Sequence, residues 1–287
     1  MNKKQLINNI KSKKSFLCVG LDTDTEKLPI HLIDKKDGIL TFNKAIIDAT
    51  KDLCVAYKPN LAFYEVLGAK GWDILQETVD YIGKDHLIIA DAKRGDIGNS
   101  SSYYAKTFFE NMKFDAVTVS PYMGYDSVSP FLKYKDKWTI ILGLTSNPGA
   151  EDIQLKELNS LLSIGNEGIQ NRQRWMHLFE HVAYEVKDWA SSENSMLVVG
   201  AARPDRLKKI RNILPNHFFL IPGIGAQGGD LDMVIENGLN KDVGIIVNSS
   251  RGIIYASSGE DFATKAREKA IEIKTLMQKA LKDHKIF

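Results

Sequence analysis

Cysteine is almost missing from this chain: Cys18 and Cys54 are the only two in 287 residues. A disulfide framework is therefore excluded. Both thiols lie in apolar, strand-like stretches and read as buried and free, which fits a reducing compartment such as the cytoplasm. No run approaches the roughly 18 apolar residues that a membrane span needs, so no membrane partner is expected. Lys3, Lys4, Lys11, Lys13 and Lys14 crowd the first turns, but no apolar stretch of a signal peptide follows them. They read instead as the solvated face of a short first helix. An excess of one charge is lacking too: 38 Lys and Arg against 36 Asp and Glu leave a formal +2, which calls for neither nucleic acid nor an anionic surface. Histidine is scarce, and among the six only His177 and His181 stand at helical i,i+4 spacing. No acidic metalloprotease partner accompanies them, so the pair reads as surface or packing and no metal is expected.

What the chain does have is a regular alternation. Eight short apolar runs read as strands: Phe16–Asp22, Val55–Asn60, Leu87–Lys93, Ala116–Pro121, Thr139–Thr145, Met196–Ala201, Phe218–Gly225 and Gly244–Arg251. They are apolar almost without interruption, as strands covered on both faces must be. Between them lie helical patterns. Gln173–Ala190 sets Trp175, Leu178, Phe179, Val182, Val186 and Trp189 at steps of three and four, and that stripe predicts a helix. Leu231–Asn237 ends at Gly238, a plausible C-cap, and Phe262–Leu281 predicts a closing helix. Ser100–Asn111 opens with residues whose side-chain oxygens cap helices well.

Eight such alternations predict a (β/α)8 TIM barrel, class α/β, with an open doubly wound sheet as the competing fold. The whole of 1–287 is expected to be a single domain. Its longest connection, about 147–195, reads as an insertion after the fifth strand at the mouth of the barrel.

In a barrel, chemistry belongs at the C-terminal ends of the strands, and the polar residues gather there. Asp22 ends the first run, Lys58 the second, Asp91 and Lys93 the third, Ser146 follows the fifth, Gly223 and Gly225 the seventh, and Arg251 the eighth. Asp91 and Lys93 are two apart on a strand and so share a face, with Lys58 on the adjacent strand. Ammonium groups on both sides of a carboxylate can fix a general acid in place. A salt-bridged turn that merely caps the barrel is the plainer alternative. Asp96 lies beyond Gly95, where reaching its own site is awkward but reaching a neighbouring subunit is not, and Ile97 and Ser101 would accompany it.

Ile221–Asp230, I-P-G-I-G-A-Q-G-G-D, is a glycine-rich turn leading into a helix. Such a turn can present backbone N–H groups to an anion, and Arg251 supplies a guanidinium from the next strand. Barrel phosphate sites occupy this position. Ser146 could bond a polar ring edge and Asp22 a sugar hydroxyl, although both also suit ordinary loop contacts.

These features together resemble the orotidine 5'-phosphate decarboxylase family. The match rests on D-A-K-R-G-D-I from Asp91 to Ile97, on Lys58 in Y-K-P-N, on P-G-I-G-A-Q-G-G-D, and on Arg251 in S-S-R-G-I-I-Y-A. It extends over essentially the whole chain and looks like the larger, bacterial-type branch. The resemblance implies a cofactor-free conversion of orotidine 5'-phosphate (OMP) to UMP and carbon dioxide in pyrimidine synthesis. It implies that Lys58, Asp91, Lys93 and Asp96 form an alternating array, with Lys93 protonating C6 and Asp96 supplied by the partner of a homodimer. It further implies Asp22 on the ribose, Ser146 on the pyrimidine, and Pro222, Gly223, Gly225, Gln227, Ser250 and Arg251 around the phosphate. Ser250 departs from the pattern, where a glycine beside the arginine would be expected. Two rivals follow from the same motifs. Metal-dependent sugar-phosphate decarboxylases and hexulose-phosphate aldolases of the same suprafamily would carry an acidic residue in place of Lys58. A silent nucleotide-binding barrel would lack one of the four charged residues.

Overall fold

A computed structural model describes residues 1–163, 171–224 and 230–286. Each of the eight expected runs forms a strand: β1 (Leu17–Leu21), β2 (Ala56–Pro59), β3 (Leu87–Arg94), β4 (Ala116–Val119), β5 (Trp138–Leu144), then β8 (Ser195–Val199), β9 (Phe218–Pro222) and β10 (Ile245–Ser249) after an intervening pair. All pair in parallel with their neighbours, and β10 returns to β1 to close the barrel. Their side chains are almost all buried, because barrel filling covers one face and the helical ring the other.

The connection after β5 contains strands that the sequence pattern did not predict. β6 (Glu157–Ser163) and β7 (Asn171–His177) form an antiparallel hairpin. The helix expected over Gln173–Ala190 therefore begins only at Leu178 and runs to Trp189. Its start is fixed by a capping box in which Glu180 accepts the His177 backbone N–H at 3.1 Å. Upstream, Trp175 is exposed and Met176 is buried, the alternation of a strand rather than the stripe of a helix. The Leu178–Trp189 helix packs on β5, in the usual crossover position.

The expected helix over Ser100–Asn111 spans Gly98–Lys106 and widens into a π turn at Thr107–Asn111. No side chain caps its start, contrary to what the serines suggested; Asp96 Oδ1 accepts the Ile97 N–H there instead, at 2.8 Å. Leu231 begins a helix capped by Asp230, and Gly238 is its last residue rather than its cap. The closing helix, Phe262–Asp283, stacks Phe262 on Phe42 with 4.9 Å between ring centroids.

The first helix, Lys3–Lys13, lies under the N-terminal ends of the strands. Only part of its lysine set is solvated. Lys4, Lys11 and Lys14 are exposed, but Lys3 is buried against Glu193 and the Asn216 carbonyl, and Lys13 donates to the Lys51 and Cys54 carbonyls. The floor is also tied by Arg211, whose guanidinium reaches five main-chain carbonyls, those of Leu214, Pro215, His217, Gly238 and Gly244. Cys18 and Cys54 are buried and free, as expected. Among the described residues, no helix is long and apolar enough to cross a membrane.

Candidate active site

A cavity of about 290 Å³ opens at the C-terminal ends of the barrel strands. Asp22, Lys58, Asp91, Lys93, Ser146, Pro222, Gly223, Ser250 and Arg251 all line it. A larger groove, about 1210 Å³, lies at the opposite end beside Lys13, His86 and Asp115 and holds none of these residues.

At the centre of the cavity, Asp91 stands between two ammonium groups. Lys58 Nζ donates to its Oδ2 at 2.7 Å and Lys93 Nζ to its Oδ1 at 2.6 Å. Asp22 Oδ1 lies 3.9 Å from Lys58 Nζ, so acidic and basic groups alternate across β1, β2 and β3. Burial alone would raise the Asp91 pKa, but the Lys58 and Lys93 charges outweigh it and hold the carboxyl well below its ordinary range. Burial likewise opposes the charge on Lys58, and the Asp91 and Asp22 carboxylates reverse that and raise its pKa. Lys93 differs in exposure: half of its side chain meets solvent, against 5% for Lys58. One ammonium is locked; the other can meet a ligand.

The reason Asp91 and Lys93 meet is not the plain alternation of a strand. The β3–β4 register passes from Ala90 opposite Val117 to Arg94 opposite Val119, so β3 carries a bulge between them. Within it Lys93 adopts φ 47°, a left-handed backbone that costs a residue with a Cβ about 1–2 kcal/mol. Its amide donates to Thr118 Oγ1 at 2.8 Å. The next residue, Arg94, pairs with Glu65 and lies over the rings of Tyr104 and Phe108, each 5.6 Å away. The strained segment is thus held on both sides.

The end of the pocket expected to take an anion lies at the seam between β10 and β1. A Cβ at Gly20 would fall 1.9 Å from Ser250 Oγ, so only glycine lets the two strands bring Ser250 this close. Arg251 follows on an exposed turn. Gly223 has φ 96° and turns the chain away from β9. The expected positions Gly225 and Gln227 lie outside the described residues. Tyr255 closes the seam from outside, donating to the Asp22 carbonyl at 3.0 Å and accepting the Asp24 N–H at 2.7 Å. On the far wall, Gln154 holds Thr145 through two bonds of 2.8 Å, which fixes the backbone beside Ser146.

Two buried oxygens of residues lining this pocket, Asp22 Oδ1 and Asn248 Oδ1, have no hydrogen-bond partner among the described residues. Such acceptors call for donors, and a ligand's hydroxyl groups are donors. Asn248 is among the lining residues that sequence reasoning missed, as are Asn60 and Thr118. A polar residue inside an otherwise apolar strand was the available signal for Thr118 and Asn248, and the Y-K-P-N motif for Asn60.

Three expected site residues are not brought to this cavity. Asp96 is half-buried past the end of β3, and Ile97 is 59% exposed. Ser101 is fully buried, and its hydroxyl donates to the Ser127 carbonyl at 2.6 Å. It is the neighbouring Ser100 that faces outward. His177, expected on a helix, caps one and contacts Glu180 at 3.0 Å. Among the described residues, no three His, Cys, Asp or Glu side chains cluster so as to hold a metal ion.

Comparison with known proteins gives one answer. Residues 15–266 match the model of the orotidine 5'-phosphate decarboxylase / HUMPS family. The chain is 55% identical over 285 residues to an orotidine 5'-phosphate decarboxylase of Bacteroides fragilis, covering 98% of this chain and 99% of that protein. It is 52% identical over 280 residues to the enzyme of that name from Flavobacterium johnsoniae, covering 96% and 97%. The solved structure of Leishmania donovani OMP decarboxylase superposes with a TM-score of 0.75 at 34% identity, covering 96% of this chain and all of that one.

Proposed function

The chain belongs to the orotidine 5'-phosphate decarboxylase / HUMPS family, and we propose that its pocket converts OMP to UMP and carbon dioxide as a cofactor-free carboxy-lyase. The observation that carries this reading is the run Lys58–Asp91–Lys93, closed at 2.7 and 2.6 Å inside the cavity. Lys93 is the proton donor. The C6–carboxylate bond breaks, its electron pair stays on C6, and the Lys93 ammonium delivers a proton there before recovering one from solvent. A fixed cation beside a developing carbanion stabilises the transition state more than the ground state. Asp91, itself held by Lys58, aims that cation, so little reorganisation accompanies the reaction.

The remaining groups bind and orient. Asp22 takes a ribose hydroxyl, Ser146 the pyrimidine edge, and Pro222, Gly223, Ser250 and Arg251 surround the 5'-phosphate. Binding energy from that phosphate, remote from C6, assembles the site. The metal-dependent members of the suprafamily are not favoured, since a buried ammonium, Lys58, stands where they would need an acidic ligand.

The protein acts as a homodimer with shared sites, and Asp96 and Ile97 serve the partner's pocket. The support is an apolar surface on the elements after β3 and β4. Ile97 is 59%, Tyr103 65% and Tyr122 81% exposed, and Met123 lies against Gly95. Such a patch fits an interface better than open solvent. One domain spans 1–287, and its two reduced thiols suit the cytoplasm.

The test follows OMP absorbance with purified protein after exhaustive chelation, alongside the molecular mass in solution. Undiminished turnover by a species of twice the chain mass is expected. No loss of substrate would sink the reading, and metal-dependent turnover would favour the sister enzymes.

A further inference from the structure

Thr118 is the one β4 residue that faces the β3 bulge, since four residue steps on β3 from Ala90 to Arg94 oppose two on β4 from Val117 to Val119. It is 1% exposed. Its Oγ1 accepts the Lys93 N–H at 2.8 Å, and lies 3.2 Å from Asp91 Oδ1 and 3.5 Å from the Ala90 carbonyl. The hydroxyl has one proton to give, and the carboxylate is both nearer and charged, so Asp91 receives it. The same Oδ1 receives the Lys93 ammonium at 2.6 Å. A closed ring results: Lys93 amide, Thr118 hydroxyl, Asp91 carboxylate, Lys93 ammonium.

The ring answers a difficulty that the bulge creates. A bulge lifts its surplus residues out of the strand ladder and leaves their backbone groups without ladder partners. Lys93 also holds a left-handed backbone, which persists only where its surroundings over-determine it. Thr118 supplies the acceptor for that amide. Threonine is stiff at χ1, so it presents the oxygen in one direction. Valine would fill the same space and leave both the amide and the carboxylate lone pair unanswered.

We propose that Thr118 is a positioning residue for the decarboxylation, its hydroxyl fixing the Lys93 backbone and the Asp91 carboxylate together so that the lysine ammonium is aimed at C6. The proposal rests on the assignment of Lys93 as proton donor. A hydroxyl lost here displaces the reacting group without touching the phosphate or ribose contacts, and displacements on the order of 1 Å can cost about 100-fold in rate.

The experiment compares Thr118→Val and Thr118→Ser with wild type and Lys93→Ala for OMP turnover, UMP affinity and exchange of the Lys93 amide. Thr118→Val should lower kcat about 100-fold, with KM and UMP affinity within about threefold of wild type. Its Lys93 amide should exchange at least about tenfold faster, since the lost hydrogen bond is what protects it. Thr118→Ser should recover most of both. A Thr118→Val enzyme with unchanged kcat overturns the proposal. So does a parallel loss of UMP affinity, which marks a merely structural role, or a serine variant no better than valine. An inactive wild type or an active Lys93→Ala would instead overturn the proton-donor assignment. Unchanged Lys93 exchange in Thr118→Val counts against Thr118 whichever way turnover falls.

Discussion

Lys58 and Arg211 are both buried cations, one at each end of the same barrel, and they are held in opposite ways. Lys58 sits at the mouth between the carboxylates of Asp91 and Asp22. Arg211 lies on the floor with no acidic partner among the described residues. Its donors go to main-chain carbonyls, and its guanidinium stacks 3.7 Å over the Phe219 ring. Burial accordingly lowers the Arg211 pKa to about 9, whereas the carboxylates raise that of Lys58. Carbonyl dipoles satisfy hydrogen bonds without adding a countercharge, which suits a joint between strand starts and helix ends. Carboxylates add charge that survives a change in protonation nearby, which suits a reaction. The same contrast separates Asp91 from the floor histidines, His86 and His217, whose pKa values burial lowers to about 4.

The sharpest way to break this contrast is to remove one cation from each end. Lys93→Ala, which removes the proposed proton donor at the mouth, should cut turnover by about 10⁴-fold or more. UMP binding should stay within about tenfold, because the proposed phosphate contacts lie elsewhere. Mixing this variant with Asp96→Ala should restore part of the activity if sites are shared between subunits; retention of even a hundredth of wild-type turnover by Lys93→Ala alone would remove it from its role. On the floor, Arg211→Met takes the guanidinium from five carbonyls, of which Pro215 keeps the Asn240 amide and Gly244 the Phe219 N–H. Denaturant unfolding should show a loss of about 3–5 kcal/mol, with kcat per folded molecule within about twofold. A variant that loses turnover but not stability would contradict the division of labour.

Acid should then separate the two ends by their pH windows. His86 and His217 stay neutral in the folded state down to about pH 4, while the unfolded chain protonates them from about 6.5. The unfolded state binds more protons in between, so their contribution is lost as pH falls from about 6.5 to 4. That loss should reach a few kcal/mol for the two together. Asp91, with its depressed pKa, keeps its contribution above the usual carboxylate range and loses it only as pH falls below that. Unfolding curves at pH 7.5, 6 and 5 should show the first loss, and His86→Gln with His217→Gln should flatten it. An unchanged slope would mean that the histidines do not carry it.

How much of this was readable beforehand follows from what each residue answers to. Strands buried on both faces are apolar throughout, so all eight appear in the sequence with ends shifted by at most three residues. The alternation also put Asp91 and Lys93 on one face, but the contact is made by a bulge, and a bulge depends on the strand opposite. For the same reason the polar side chains of Thr118 and Asn248 stood out from their apolar runs while their roles did not: a polar residue there acquires meaning from its cross-strand neighbour. The hairpin escaped because Trp175 happens to continue the helical spacing of Leu178 to Trp189, and only the His177–Glu180 cap shows where that spacing stops mattering. Ser101 faces inward because its helix starts at Gly98, a choice set by backbone conformation and not by side-chain type.

The seam between β1 and β10 has a consequence in time as well as in space. Leu17 pairs with Val247, and Tyr255 reaches the Asp22 carbonyl across 233 residues of chain. Contacts so distant in sequence form late, because the loop between them must be closed first. Asp22 and Ser250 belong to the two sides of that join. Until it is made, the cavity has half its wall, and the first molecule able to turn over substrate is one whose barrel has already closed. A ligand that touches both Asp22 and Arg251 would act as a clasp, slowing the reopening of the last joint to form.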